Sequence, residues 1–296
     1  MIKNWLEAFR LRTLPLALSS IAMGSFLAAA EGFFEIKICA LAILTTVLLQ
    51  ILSNLANDLG DTLNGADHEG RVGPTRAVQS GAISKKSMTV AVIIFAFVSL
   101  ISGLGLLYFS IGLLNLKFLI FLILGLLCIA AAIKYTAGSK PYGYSGLGDV
   151  SVFIFFGLVG VCGTYFLYTG YFNVVILLPA ITCGLFATAV LNLNNMRDIV
   201  SDKLVGKNTI PVQIGLVNAK RYHVALITLA WFAALAYTSM LFVSLYYFLF
   251  LLLFPLSIFH LLQIVKREGA FLDPYLKKTA LTTLFFVLLW GIGMNI

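Results

Sequence analysis

Two short stretches gather oxygen ligands in an otherwise apolar chain. The first, "NLANDLGD", carries Asn54, Asn57, Asp58 and Asp61, with Asp67 further on. The second, "NLNNMRDIVSD", carries Asn192, Asn194, Asn195, Asp198 and Asp202. Residues three or four apart on a helix share a face. Asp58 with Asp61, Asn57 with Asp61, and Asp198 with Asp202 are therefore each expected to project two oxygens side by side. Carboxylates gathered in a low-dielectric place repel strongly, and a divalent cation between them removes that cost. Hard oxygen donors of this kind suit Mg²⁺, which shares its shell with phosphate oxygens. Cations accompany both stretches. Arg71 and Arg76 follow the first, and Arg197, Lys203 and Lys207 are interleaved with or follow the second. Between them, "IKYTAGSKPYGYSGLGDV" sets Lys134 and Tyr135 ahead of a Gly- and Pro-rich loop that ends at Asp149. Carboxylates holding Mg²⁺, ringed by Lys and Arg, describe a diphosphate site.

The elements that position these groups follow from composition. The chain is 60% hydrophobic and only 11% charged, with a mean hydropathy of +1.00. Soluble chains carry roughly 25% charged residues, so this is an integral membrane protein. Spans need ~20 mostly apolar residues. Nine such runs are expected, near 13–30, 38–56, 88–108, 116–133, 150–168, 174–193, 223–242, 246–264 and 279–295. Short alternating strands are absent, which excludes a membrane β-barrel. Arg10 and Arg12 precede the first run, but no small-residue cleavage site follows, so it is read as a span and not a leader. The expected architecture is all-α, one membrane domain over 1–296.

Of the 20 basic residues, all but Lys37 and Lys117 fall in the N-terminus or after even-numbered spans. Basic residues accumulate on the cytoplasmic face, so the N-terminus and both acid stretches are expected there. The net charge of +8 follows from that topology and requires no nucleic-acid partner. Cys39, Cys128, Cys162 and Cys183 lie in or beside apolar runs at no metal spacing and read as small hydrophobes. His68, His223 and His260 are scattered.

These motifs carry a resemblance. The chain resembles the UbiA-type intramembrane aromatic prenyltransferases, whose first motif, N-D-x-x-D, stands here as Asn57, Asp58 and Asp61. The second, D-x-x-x-D, stands as Asp198 and Asp202. Asp67 follows Asp61 by six residues where the family pattern has four. "RLRTLPLALSSIAMGS", "RVGPTRAVQSG", "YGYSGLGDVSVFIFFG" and "GKNTIPVQIG" resemble the branch of that family acting on 1,4-dihydroxy-2-naphthoate. Leu191 and Asn194 stand where the hydroxybenzoate branch has an acid and a tyrosine.

The resemblance implies nine helices around a central cavity in the cell inner membrane, with the active site facing the cytoplasm. It implies transfer of a polyprenyl group from polyprenyl diphosphate to the naphthoate, with decarboxylation, giving demethylmenaquinone. Mg²⁺ is implied on Asn57, Asp58, Asp61, Asp198 and Asp202. Diphosphate contacts are expected from Arg76, Lys134, Tyr135, Arg197 and Lys207, and acceptor contacts from Asn54, Asn194, Tyr144 and Asp149. Lys134, Asp61 and Asp198 are the expected catalytic groups.

Rival readings are an ion-coupled transporter, whose acids belong near the midplane, and a CDP-alcohol phosphotransferase, whose D-G-x-x-A-R stretch is missing. Another acceptor within the same family is a further alternative.

Overall fold

A backbone in hydrocarbon must satisfy every N–H and C=O internally, so long apolar runs become helices. The computed structural model describes residues 2–66 and 73–296. Asp67, His68 and Arg71 lie outside the described residues. A short α1 (Ile2–Phe9) precedes α2 (Leu14–Ala30), α3 (Ile36–Leu63), α4 (Lys85–Ile111) and α5 (Leu116–Lys134). The next span joins α6 (Gly148–Val152), a π-helical stretch (Phe153–Gly163) and α7 (Thr164–Thr169). Then come α8 (Leu177–Arg197), α9 (Ile199–Leu204), α10 (Ile210–Met240), a 3₁₀ stretch (Leu245–Leu253) leading into α11 (Phe254–Val265), and α12 (Asp273–Asn295). Among the described residues, nine helical runs are long and apolar enough to cross a membrane.

The helix ends follow local chemistry. Asn115 accepts the Phe118 N–H at 2.9 Å to start α5, and Ser84 accepts the Ser87 N–H at 3.1 Å to start α4. Pro15, Pro211, Pro255 and Pro274 occupy first turns, where no N–H is needed. Several helices outrun their apolar segments. α3 continues seven residues beyond 56, through the acid cluster, and α10 starts at Ile210 rather than 223, bending at Gly215 (φ 76°).

Two apolar clusters flank a central space. In one, α8 packs against α10, the π-helical stretch and α12. Its centre is aromatic: Trp231 meets Phe286 edge-on at 4.9 Å, and the Trp290 indole donates to Thr238 Oγ1 at 2.9 Å. Such ring pairs contribute ~0.5–1.5 kcal/mol beyond their buried area. In the other, Leu52 and Leu55 of α3, Ala8 of α1 and Met88 of α4 enclose Ala77, Val78 and Ile83. That second cluster seats the loop carrying Arg76. α5 has no fully buried residue, although Phe121, Leu124, Gly125 and Cys128 line the central space.

Candidate active site

The space between the clusters is a cavity of about 490 Å³. Most of its wall is apolar, and one end is crowded with charge. The last two turns of α3 bring Asn57 and Asp61 to that end, and the α8–α9 junction brings Asp198 and Asp202. Asp61, Asp198 and Asp202 are all buried within protein.

α3 can carry its acids this far because its final turns lie against protein. A Cβ on Gly60 would fall 2.6 Å from Thr136 Oγ1, so only glycine permits this approach. The Thr136 hydroxyl donates to Ala56 O and lies equally near Asn57 Oδ1, both at 3.1 Å, and so orients the Asn57 amide. Three groups converge on Asp61. Arg76 Nη1 pairs with Oδ2, while Lys207 Nζ (2.9 Å) and the Tyr144 hydroxyl meet Oδ1. Arg76 also donates to Asn57 O at 2.6 Å, and Lys207 lies 4.5 Å above the Tyr144 ring. Across the cavity, the Arg197 guanidinium clamps Asp198 through Nε (2.8 Å) and Nη2 (2.6 Å). It also reaches Asn194 Oδ1 at 2.9 Å and pairs with Asp273 of α12.

The structure therefore brings together Asn54, Asn57, Asp61, Arg76, Tyr135, Tyr144, Asn194, Asp198, Asp202 and Lys207 around one cavity. Four other expected residues, Asp58, Lys134, Arg197 and Asp149, are not in its wall. Asp58 is 1% exposed, and its oxygens accept the N–H groups of Ala77 (3.1 Å) and Val78 (3.3 Å). It braces the Arg76 loop and does not line the cavity. Lys134 is exposed at the end of α5. Arg197 is spent on Asp198, Asn194 and Asp273. Asp149 is buried behind the wall, beside the Tyr222 hydroxyl. Asn54 does reach the cavity, but its amide N–H groups go to Phe9 O (2.9 Å) and Thr13 Oγ1 (3.1 Å), which ties the α1–α2 corner to α3.

Tyr135 stands in the wall with its hydroxyl over Gly148, 2.8 Å from where a Cβ would sit. Burial, and next the Asp149 carboxylate, push its phenol well above the ordinary tyrosine range, so it remains a neutral donor. Arg10, Arg12 and Lys277 also line the charged end. In the sequence they read only as topology charges, because their signal is the same flanking position that anchors any span.

The UbiA prenyltransferase family pattern matches residues 17–290. The chain is 44% identical over 289 residues to the 1,4-dihydroxy-2-naphthoate octaprenyltransferase of Escherichia coli, covering 96% of this chain and 94% of that protein. It is 44% identical over 302 residues to the protein of the same name from Haemophilus influenzae, covering 100% and 96%. The fold is similar to that of a UbiA homologue from Archaeoglobus fulgidus solved with DMAPP and Mg²⁺, at TM-score 0.60 and 16% identity over 96% of this chain and 98% of that one. The family pattern spans nearly the whole chain, as do the two 44% identical relatives, and both acid motifs face one cavity in a nine-span bundle: the chain belongs to the UbiA prenyltransferase family.

Proposed function

We propose that this protein transfers a polyprenyl group from polyprenyl diphosphate to 1,4-dihydroxy-2-naphthoate, releasing CO₂ and diphosphate and forming demethylmenaquinol. One observation carries the reading. Asp61 from one half of the bundle and Asp198 and Asp202 from the other face a single cavity, apolar in its body and charged at one end. Naming by the 44% identical relatives supports the naphthoate as acceptor.

The donor set fits Mg²⁺. Asn57, Asp61, Asp198 and Asp202 offer only hard oxygens to the cavity. Arg76 and Lys207 pair with Asp61, and Arg197 pairs with Asp198 and Asp273. A bound diphosphate adds negative charge that these residues do not cover, and divalent cations are the natural complement. Mg²⁺ bound by these residues would supply Lewis-acid polarisation of the leaving diphosphate. Arg76 and Lys207 stand where charge grows on the departing oxygens, and interactions that strengthen as that charge grows accelerate the step. The prenyl C–O bond breaks with its electron pair going to diphosphate. The Phe155 and Phe156 side of the cavity keeps water from the allylic cation and offers ring faces to it. The ring carbon bearing the carboxylate attacks, and the C–CO₂ electron pair returns to the ring as CO₂ leaves.

In this reading the acid end lies at the cytoplasmic face of the cell inner membrane, which the positions of two cations support. Lys37 and Lys117, the two cations on the other side, stand at the first turns of α3 and α5, the ends away from the acids. The test uses purified protein, Mg²⁺, a polyprenyl diphosphate and candidate acceptors. Naphthoate-dependent CO₂ release is expected, abolished in Asp61→Ala and Asp198→Ala variants that remain inserted and monodisperse. Preference for 4-hydroxybenzoate, or near-normal turnover by either variant at saturating Mg²⁺, refutes the proposal.

A further inference from the structure

The cavity has two kinds of wall, and the mechanism above uses only part of the polar one. α3 faces the cavity with Thr46, Gln50, Ser53, Asn54, Asn57 and Asp61, a helical stripe. The last three have partners: Asn54 holds the α1–α2 corner, Thr136 lies against Asn57, and Arg76, Lys207 and Tyr144 meet Asp61. The first three are different. Among the described residues, Thr46 and Ser53 make no side-chain hydrogen bond, and Gln50 makes one, a 3.5 Å contact from Nε2 to Asn54 Oδ1. The Gln50 carbonyl oxygen accepts none. From the facing helix α4, Ser99 also borders the cavity, 2% exposed and with its hydroxyl unpaired.

Polar groups at membrane depth are costly unless paired. Here all four border the cavity. α5 and the π-helical stretch contribute Leu124, Gly125, Cys128, Phe155 and Val159 to the wall, while Ser20 of α2 and Thr164 of α7 add two hydroxyls elsewhere in it. A prenyl tail matches that side and has no use for an amide. An aromatic ring with hydroxyls matches the α3 side. Depth agrees as well. Eleven residues of helix separate Gln50 from Asp61, ~16 Å at 1.5 Å per residue. The body of the cavity on the membrane side of Asp61, within this interval, has room for a ring beside the allylic carbon.

We infer that Gln50 and Ser53 form the acceptor subsite, with the Gln50 amide oxygen accepting a hydrogen bond from one phenolic hydroxyl of the dihydroxynaphthoate. The inference rests on the proposed prenyl transfer and adds the residues that select a diol. It makes these residues determinants of specificity that leave the metal and diphosphate chemistry untouched. A site that pairs a hydroxyl discriminates against the analogue lacking it, because the site's own group is then left unpaired.

The experiment compares the parent protein with Gln50→Leu and Ser53→Ala in membranes, with Mg²⁺ and polyprenyl diphosphate supplied. Leucine at this depth favours insertion, and the KM for polyprenyl diphosphate reports whether the site remains intact. The readouts are the KM for 1,4-dihydroxy-2-naphthoate and the inhibition constants of 1-hydroxy-2-naphthoate and 4-hydroxy-2-naphthoate. Gln50→Leu is expected to raise the KM for the diol about tenfold, the size of one hydrogen bond lost from a buried site. The inhibition constant of the analogue lacking the recognised hydroxyl should change less than twofold, and the KM for polyprenyl diphosphate should be unchanged. A parallel rise for all three aromatic ligands, no rise for any, or a change confined to polyprenyl diphosphate overturns the inference while leaving the proposed reaction standing. A parent protein that does not use the diol overturns both.

Discussion

Asp58→Asn separates two readings of the same acid. In the sequence, Asp58 belongs with Asp61 as a metal ligand. In the structure, its carboxylate is directed at the backbone of the Arg76 loop, accepting from Ala77 N at 3.1 Å and Val78 N at 3.3 Å. Asparagine keeps one acceptor oxygen and replaces the other with a donor. One buried N–H then faces an NH₂ group, which costs about 1–3 kcal/mol. The strain falls on the loop that holds Arg76 against Asp61 and Asn57 O. If that cost is expressed as misplacement of Arg76, kcat/KM for polyprenyl diphosphate falls by roughly 5- to 150-fold, at about 1.4 kcal/mol per tenfold.

The assay is prenyl transfer measured against Mg²⁺ concentration, in Asp58→Asn, Arg76→Ala and the double variant. A brace predicts an unchanged Mg²⁺ midpoint. It also predicts that Asp58→Asn adds little once Arg76 is gone, because contacting residues that act together are not additive. A lost ligand predicts a midpoint shifted upward by an order of magnitude or more and a full additional loss in the Arg76→Ala background. Either of those last results refutes the brace.

Lys134→Gln should turn over within a few-fold of the parent in the same assay, since Lys134 is exposed outside the cavity wall; a hundredfold loss would restore it to the diphosphate pocket. Arg197→Lys keeps the charge but cannot clamp both oxygens of Asp198 while also meeting Asn194 and Asp273. It is expected to lower both the thermal midpoint in detergent and kcat, and a variant unaffected in either measure would show that Asp198 is held by other means.

Much of the fold was legible because hydrocarbon leaves the chain few choices. Eight of the nine expected spans fall within the helical runs seen among the described residues, and the seventh, 223–242, runs two residues past the end of α10 at Met240. What hydropathy could not read was how far those helices extend past the lipid. α3 runs on through Asn57, Asp58 and Asp61, and α10 begins in "IPVQIGLVNAKRY", because those turns are packed on protein, where polar residues are tolerated if paired. The charged end of the site was half legible for a related reason. Arg76, Lys134, Arg197 and Lys207 are equivalent in a count of cytoplasmic cations. Which of them meets the cavity depends on loop geometry and burial, and neither has a composition signal. The polar stripe formed by Thr46, Gln50 and Ser53 was overlooked because it sits inside a run whose average is apolar.

The division between Asp58 and Asp61 shows how finely the site is cut. At about 100° per residue, positions four apart lie ~40° apart around the helix, and positions three apart ~60°. Asn57 and Asp61 are four apart, and both reach the cavity. Asp198 and Asp202 are four apart, linked by an Asp202 N–H to Asp198 O bond of 2.8 Å, and both reach it too. Asp58 and Asp61 are three apart, and the cavity's edge falls between them. The side of α3 that Asp58 occupies meets the N–H groups of Ala77 and Val78, which need an acceptor away from water. One carboxylate placed a little farther round the helix therefore fixes the loop that carries Arg76, and Arg76 in turn meets the carboxylate next to the chemistry. In this arrangement the first motif is a single unit: Asn57 and Asp61 face the cavity, and Asp58 sets the loop whose Arg76 pairs with Asp61.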